Sequence, residues 1–393
     1  MIKKFKTNLR NIIKNTDKPL LMLSILLFSF GLIMIFSSSN VTAFMKYSAS
    51  PYQYFLKQGF FLIISVVLSC CLIFFPSSTY NFCSKFLLLI FVPALFLLLL
   101  YGSVKNQAVS WIDLGFMSIQ PSEFIKIIII MYLSCFYNRN QDKLDNPLTC
   151  LRSLIIPIVV AGLIFLQPDL GTMIIFAGIV ASIFFLSKVS FDIKKKVLIT
   201  GVLLVSVVAI IIGTGGKEIL ASRQLQRFDI SKPCSEEKFY STGNQVCNGF
   251  IAINNGGLTG LGLGNSTQKY LYLPEAHTDF IFPIIVEEIG IAGAFALFLL
   301  YFLLIGRILK IAKESYNEKG KLICYGVGIY ILIHIVVNLG GVLGLIPMTG
   351  VPLPFMSYGG SYLMCLVLSL MLVQRINIEN KTFKEKSSKK TKN

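Results

Sequence analysis

Two acids and a histidine fall within five residues at the start of the stretch YLYLPEAHTDFIFPIIVEEIGIAGAFALFLLYFLL, residues 270–304. They are Glu275, His277 and Asp279, and a long apolar run follows that still holds the adjacent acids Glu287 and Glu288. A carboxylate at the lip of an apolar helix can take the proton of a weak hydroxyl nucleophile as it attacks. The helix N-terminus would stabilise its anion. Asp279 can equally be a plain cap for a helix opening at Phe280, and both readings stand at this point. Glu287 lies about 12 Å further down such a helix. Two acids at that depth are costly unless they face a polar cavity or one is protonated, so they are expected to shape a cavity below Asp279. His277 is one of only two His, with no Cys or second His at ligand spacing, which excludes a zinc site there. His334, the other, reads as a hydrogen-bonded packing residue.

Charges recur at two further places. In SWIDLGFMSIQPSEFIKIIII, residues 110–130, Glu123 and Lys126 share a helix face and can pair, and Pro121 suits a first helical turn. The pair either fixes helix depth by snorkelling or aims a cation at an anionic headgroup. Trp111, the only Trp, reads as an interfacial anchor. In LQPDLGT, Asp169 sits in a tight turn where it can cap the next helix. GLIPMTGVPLPFMSYGGSYLM, residues 344–364, holds three Pro and four Gly, which break any helix. Irregular backbone at membrane depth survives only against protein or a water-filled cavity, so this loop is expected to line one. The Gly-rich NNGGLTGLGLGNS, residues 254–266, is either a flexible loop or a phosphate cradle, and no strand precedes it to support the cradle.

The elements that must position these groups are membrane spans. The chain of 393 residues is 54% hydrophobic and 14% charged, with a mean hydropathy of +0.72, where a soluble domain carries about a quarter charged residues. Charge-free stretches cover residues 19–45, 58–84, 86–104, 153–168, 170–187 and 197–216, each near or above the roughly 18 apolar residues of a span. The reading is an all-α integral membrane protein of about ten transmembrane helices. Its spans are expected near 19–38, 59–76, 85–102, 118–137, 152–168, 170–187, 196–213, 280–305, 322–345 and 359–374. The first is too long, and lacks the small-residue site, for a cleaved signal. Most of the 36 Lys and Arg then fall on the side of the N-terminus, so both termini are cytoplasmic. The net charge of +17 anchors the protein against anionic lipid, and no aromatic-basic module points to nucleic acid.

Three regions follow: a basic N-terminus, 1–18; a ten-helix domain, 19–374; and a basic tail, 375–393. Both ends are expected to be disordered or to lie on the membrane surface. The large extracellular loop, 214–279, joins the seventh and eighth spans, and its first part, KEILASRQLQRFDI, fits an interfacial helix. Of nine Cys, Cys234 and Cys247 lie in this loop, as a disulfide or as two free thiols.

At this point the pattern becomes specific. YLPEAHTDFIFPIIVEEIG, QPSEF.K, QPDLGT, GLGLGNS and PLPFMSYGGS resemble, in order and spacing, the motifs of the SEDS family, which groups FtsW, RodA and SpoVE. The segment GLGNSTQKYLYLPEAHTDF looks more like the division branch, FtsW, than RodA, and NLGGVLGLIPMTGVPLPF looks like the Gram-positive form. The resemblance implies a peptidoglycan glycosyltransferase that polymerises lipid II at the outer face of the cytoplasmic membrane, beside a class B penicillin-binding protein. It places the catalytic acid at Asp279 and a functional Trp at Trp111, and it moves Trp111 from anchor to cavity lining. Glu123, Lys126, Glu275, His277, Thr278 and Ser357 complete the expected substrate-binding set. The leaving pyrophosphate needs cationic help, from Lys126, from Arg223 or Arg227, or from a divalent cation such as Mg2+ or Mn2+; no organic cofactor is implied. Three departures stand out: Ser110 where relatives carry a base, Leu271 where many division members carry an acid, and Tyr362 in place of a Ser. They weaken any mechanism resting on a cation at 110 or an acid at 271. The competing readings are a lipid II flippase and a non-catalytic scaffold that recruits a transpeptidase.

Overall fold

Inside a bilayer every backbone N–H and C=O must be satisfied by the protein itself, and this chain meets that demand with helices. The computed structural model describes residues 2–101, 103–105, 108–113, 115, 118–213, 232–239 and 243–390. The helices are α1 (Ile2–Asn15), α2 (Lys18–Tyr47), α3 (Gln53–Leu72), α4 (Tyr80–Tyr101), α5 (Pro121–Arg139), α6 (Pro147–Leu166), α7 (Leu170–Leu186) and α8 (Phe191–Gly213). After them come α9 (Glu236–Phe239), α10 (Asn244–Gly256), α11 (Ile281–Lys313), α12 (Glu318–Val342) and α13 (Gly360–Lys390). Among the described residues seven helices are long and apolar enough to cross a membrane. The shorter α7, the charge-bearing α5 and α8 fall at the other three expected positions. The interfacial helix expected over 217–230, with Arg223 and Arg227, lies outside the described residues.

Burial sorts the helices into a centre and a rim. Ile125 and Ile127 through Ile130 of α5 are buried, as is most of α12 and α13, while α3, α4 and α6 turn Phe60, Phe82, Leu89 and Ile158 outward. A Cβ on Gly326 of α12 would stand 2.7 Å from Ile130, so only a glycine lets α12 approach α5 this closely. The expected fourth span begins later than 118. Before it, β1 (Ser103–Lys105), β2 (Ala108–Asp113) and β3 (Ser118–Ile119) form a small antiparallel sheet, pairing Ser103 with Trp111 and Ile112 with Ile119. Val109, Trp111 and Ile112 favour strand, and Pro121 at the first helical position delays α5.

Among the described residues the two basic ends are helical. α13 runs through residue 375 without a break, and α1 packs on it. Asn11 donates to Thr382, Lys14 meets Glu385 at 2.8 Å, and Asn377 donates to the Asn15 carbonyl. Between them, buried Asp17 caps α2 through the Leu20 N–H and grips Arg307 of α11 with both oxygens. Burial alone would raise the Asp17 carboxyl, but Arg307 and the Leu20 N–H outweigh it and hold it below the ordinary carboxylate range. Gln374 of α13 closes the seal by exchanging hydrogen bonds with the Asp17 backbone.

The longest span is broken. Gly290 has φ 72° and ψ 177°, which interrupts the ladder of α11. The Gly-rich stretch repairs it. Leu261 and Gly262 donate to the carbonyls of Glu287 and Glu288, and Ile291 and Ala292 donate to the carbonyls of Gly257 and Leu258. A Cβ on Gly260 would stand 2.4 Å from the Glu288 carbonyl oxygen, and one on Gly290 would stand 2.3 Å from that of Leu258. The stretch is therefore a pinned clasp and not a flexible loop. Cys234 and Cys247 form a disulfide that ties α10, at the clasp's entry, to the preceding turn.

Gly290→Ala meets both an unfavourable φ and a backbone clash, so its melting temperature in detergent is expected to fall by the equivalent of ~3 kcal/mol or more. Gly162→Ala, whose Cβ would meet nothing within 4 Å, serves as the control and is expected to leave melting unchanged or higher.

Candidate active site

The turn carrying Asp279 is short and internally tied. The N–H groups of Thr278 and Phe280 both donate to the Glu275 carbonyl. Glu275 itself takes φ 52° to close the turn. This wraps Glu275, Thr278 and Asp279 around one point. The Thr278 hydroxyl lies 2.8 Å from a Glu275 carboxylate oxygen and 3.2 Å from one of Asp279. α11 opens at Ile281 after Phe280, with no side-chain cap, so Asp279 is not the helix cap. Its backbone carbonyl instead accepts from Asn338 of α12, whose amide also reaches the Val351 carbonyl at 2.8 Å. One amide thus fixes the turn to the irregular loop before α13.

Asp279 faces a cavity of about 480 Å³ on the membrane face opposite the two termini. Its walls come from five places in the chain. Lys57 and Phe61 rise from α3, Trp111 and Asp113 from β2, and Gln120 and Glu123 from the start of α5. Glu275, Thr278 and Asp279 form the turn side, and Gly350, Pro352, Tyr358 and Tyr362 the loop side. The irregular 344–359 segment therefore does line a cavity. Its shape is held from outside: Gln58 bonds to Ser357 and Gly359, Tyr301 donates to the Pro354 carbonyl, and Tyr358 N–H donates to the His277 carbonyl. Asp169 caps α7 through Thr172 N–H and also receives Gln120 Nε2 at 3.1 Å.

The structure brings Trp111, Glu123, Glu275, Thr278 and Asp279 together in the wall and leaves three expected residues behind it. Lys126 is fully buried and meets Glu123 at 2.7 Å, so its charge is tied up inside the protein. It also lies 3.2 Å from His334, whose ring stacks on Tyr362 and meets Tyr330 edge-on. Ser357 accepts from the Leu353 N–H and braces the loop. His277 is buried between Tyr54 and Tyr358, and that burial lowers its proton affinity despite the nearby Glu275 carboxylate. Lys57, Asp113 and Gln120 were not foreseen as lining residues, whereas Tyr358 belongs to the loop expected to line a cavity. Lys57 is a lone cation at the head of an apolar run, Gln120 opens the motif QPSEF.K, and Asp113 follows Trp111 by two residues.

Glu287 and Glu288 do not shape this cavity. Glu287 receives Ser266, Thr267 at 2.7 Å, Asn255 at 3.1 Å and the Gln268 N–H. Glu288 receives Ser37 at 2.6 Å and Lys269 at 3.1 Å. Both acids hold the clasp. Among the described residues no group of three His, Cys, Asp or Glu side chains comes together to hold a metal ion. The carboxylates of Glu275 and Asp279 at the mouth are a donor set that Mg2+ uses only when substrate phosphates complete its shell.

Two outcomes follow from this geometry. Lys126→Met leaves the Glu123 carboxylate buried without its partner and is expected to cost about 3–5 kcal/mol in thermal or denaturant unfolding. Pairing it with Glu123→Gln is expected to restore most of that loss. His277 has a folded-state pKa below its unfolded value of 6.5, so its contribution to stability is present above pH 6.5 and is lost as pH falls below it. Melting curves between pH 7 and pH 5 are expected to fall less steeply for His277→Phe than for wild type.

The chain matches the FtsW/RodA/SpoVE family, described as "Cell cycle protein", over residues 18–382. It is 39% identical over 387 residues to a "Probable peptidoglycan glycosyltransferase FtsW" of Bacillus subtilis (strain 168), covering 96% of this chain and 95% of that one. Two solved structures share the fold. One is described as "Structural coordination of polymerization and crosslinking by a peptidoglycan synthase complex" (TM-score 0.73, 23% identity, 93% of this chain and 98% of that chain). The other is the rod shape determining protein RodA of Thermus thermophilus (TM-score 0.66, 23% identity, 92% and 96%). By its motifs, its helical multi-span fold and a match over nearly its whole length, the chain belongs to the FtsW/RodA/SpoVE family of cell cycle proteins.

Proposed function

We propose that this chain is a peptidoglycan glycosyltransferase that polymerises lipid II during cell division, with Asp279 as its general base. The observation that carries the base assignment is Asp279 in the wall of an outer-face cavity beside Trp111, Glu275 and Thr278. A sugar 4-hydroxyl is a weak nucleophile near neutral pH. As its oxygen attacks C1 of the second sugar, the proton passes to the Asp279 carboxylate, and the bond from C1 to the undecaprenyl pyrophosphate breaks. Thr278, within reach of both Glu275 and Asp279, orients the base. Trp111 offers an aromatic face to a sugar ring.

The departing pyrophosphate carries negative charge, and among the described wall residues Lys57 is the cation able to meet it. Lys126 acts indirectly, holding Glu123 in the wall. A divalent cation, Mg2+ or Mn2+, would take Glu275 and the pyrophosphate oxygens as ligands and would supply charge neutralisation. The exposed apolar rim of the spans suits the polyprenyl chain. A class B penicillin-binding protein is the partner that would cross-link the emerging glycan, in company with other division proteins at the septum.

The test is polymerisation of labelled lipid II by the purified chain with its transpeptidase partner and divalent metal, read as glycan ladders. Asp279→Asn is expected to lower the rate roughly 10²–10⁴-fold, with lipid II binding retained. Ladders of equal intensity from the variant would remove Asp279 from the base role. No ladder from wild type, with the partner present, would favour a flippase or a scaffold.

A further inference from the structure

A second cavity, of about 420 Å³, lies at the other end of the molecule, between the start of α4 and the end of α5. By the Lys/Arg bias this is the cytoplasmic face. Three cations converge there from different elements: Lys85 on α4, Arg139 at the end of α5, and Lys143 in the turn beyond it. None of the three forms a salt bridge among the described residues. Asp142 is the one acid in the wall, so the pocket keeps an excess of positive charge. A neighbouring pocket has a smaller excess, with two cations, Arg375 and Lys386, against one acid, Glu379. There Arg375 is held by Glu379 at 3.0 Å and by the Ile73 carbonyl.

The rest of the wall is two aromatic residues, Tyr132 and Phe136, and two amides, Asn81 and Asn140. Tyr132 and Phe136 line the pocket on the α5 side, with ring centroids 6.2 Å apart. The carbonyl end of α5 adds partial negative charge here, so an anion at this pocket depends on the three cations. The adjoining face of α4 presents Phe82, Phe86 and Leu89 at 73%, 53% and 74% exposure, an apolar flank running from the pocket into the membrane. Cations without a salt bridge, in one wall with two aromatic rings and continuous with lipid-facing surface, match a molecule with a phosphate at one end and acyl chains at the other. Basic pockets between spans on the cytoplasmic side are of this kind.

We infer that the cytoplasmic end of the α4–α5 groove is a binding site for an anionic phospholipid of the inner leaflet, its headgroup phosphate held by Lys85, Arg139 and Lys143. The site is separate from the Asp279 cavity and does not depend on the reaction assigned there.

Native mass spectrometry of the purified full chain, offered phosphatidylglycerol and phosphatidylcholine in equal amounts, tests this. Wild type is expected to retain phosphatidylglycerol and release phosphatidylcholine. The variant Lys85→Ala/Arg139→Ala/Lys143→Ala, which changes only exposed side chains, is expected to bind phosphatidylglycerol on the order of 100-fold more weakly. Equal retention of the two lipids by wild type, or equal phosphatidylglycerol binding by the variant, would overturn the assignment. Displacement of the lipid by millimolar inorganic phosphate would overturn it too, in favour of a free-anion site. A photoreactive phosphatidylglycerol gives a reading without any variant: labelling of residues 81–89 and 132–143 supports the site, and labelling confined elsewhere sinks it.

Discussion

The break at Gly290 is the constraint on which the outer half of this protein depends. A helix interrupted inside a membrane frees carbonyls and N–H groups that cannot be left unpaired. The Gly-rich stretch satisfies them by backbone hydrogen bonds, and it can approach closely enough only because Gly260 and Gly290 lack side chains. Glu287 and Glu288, just before this contact in the chain, fasten the following residues 266–269. The chain then has a short path from Lys269 back to Ile281. Asp279 sits on that path. The two acids that look like cavity residues thus position the catalytic candidate by holding both ends of its loop to one helix.

The cavity separates charge by depth. At the mouth, Glu275 and Asp279 are half-buried and share the Thr278 hydroxyl. At the base, Glu123 reaches the wall while Lys126 stands behind it, paired and fully buried, with His334 and Tyr362 completing the contact. A buried ion pair contributes little net stability, since desolvation offsets much of the attraction. Its effect here is to fix the orientation of a wall carboxylate. Tyr362, a departure from the family pattern, lines the cavity on one side and packs His334 on the other. It therefore joins the mouth to the buried pair.

The cytoplasmic half is organised differently. Asp17, Arg307 and Gln374 bind the start of α2 to α11 and α13, and α1 lies along the extended end of α13. These contacts are polar, specific and long-range in sequence. Among the described residues the two basic ends are helices that pack on each other, which neither end's composition discloses alone.

Much was open to reading from the sequence. Apolar runs of span length placed the long helices in their order along the chain, because a bilayer leaves no other way to bury them. The Pro and Gly of 344–364 announced an irregular loop against a cavity, and the motif set announced the family. Cys234 and Cys247 were visible as a pair, but only their positions in space decided that they bond. What periodicity could not supply was direction. Glu123 and Glu287 are both acids early in apolar helices, yet one lines the cavity and the other clamps a loop. Lys126 and Lys57 are both cations in spans, yet the first is tied to Glu123 and the second opens on the cavity. Spacing along one helix tells which residues share a face; it does not tell what that face meets. That was decided by packing between segments far apart in the chain, through the glycine contacts at 260 and 290 and the Asn338 bridge between the turn and the loop.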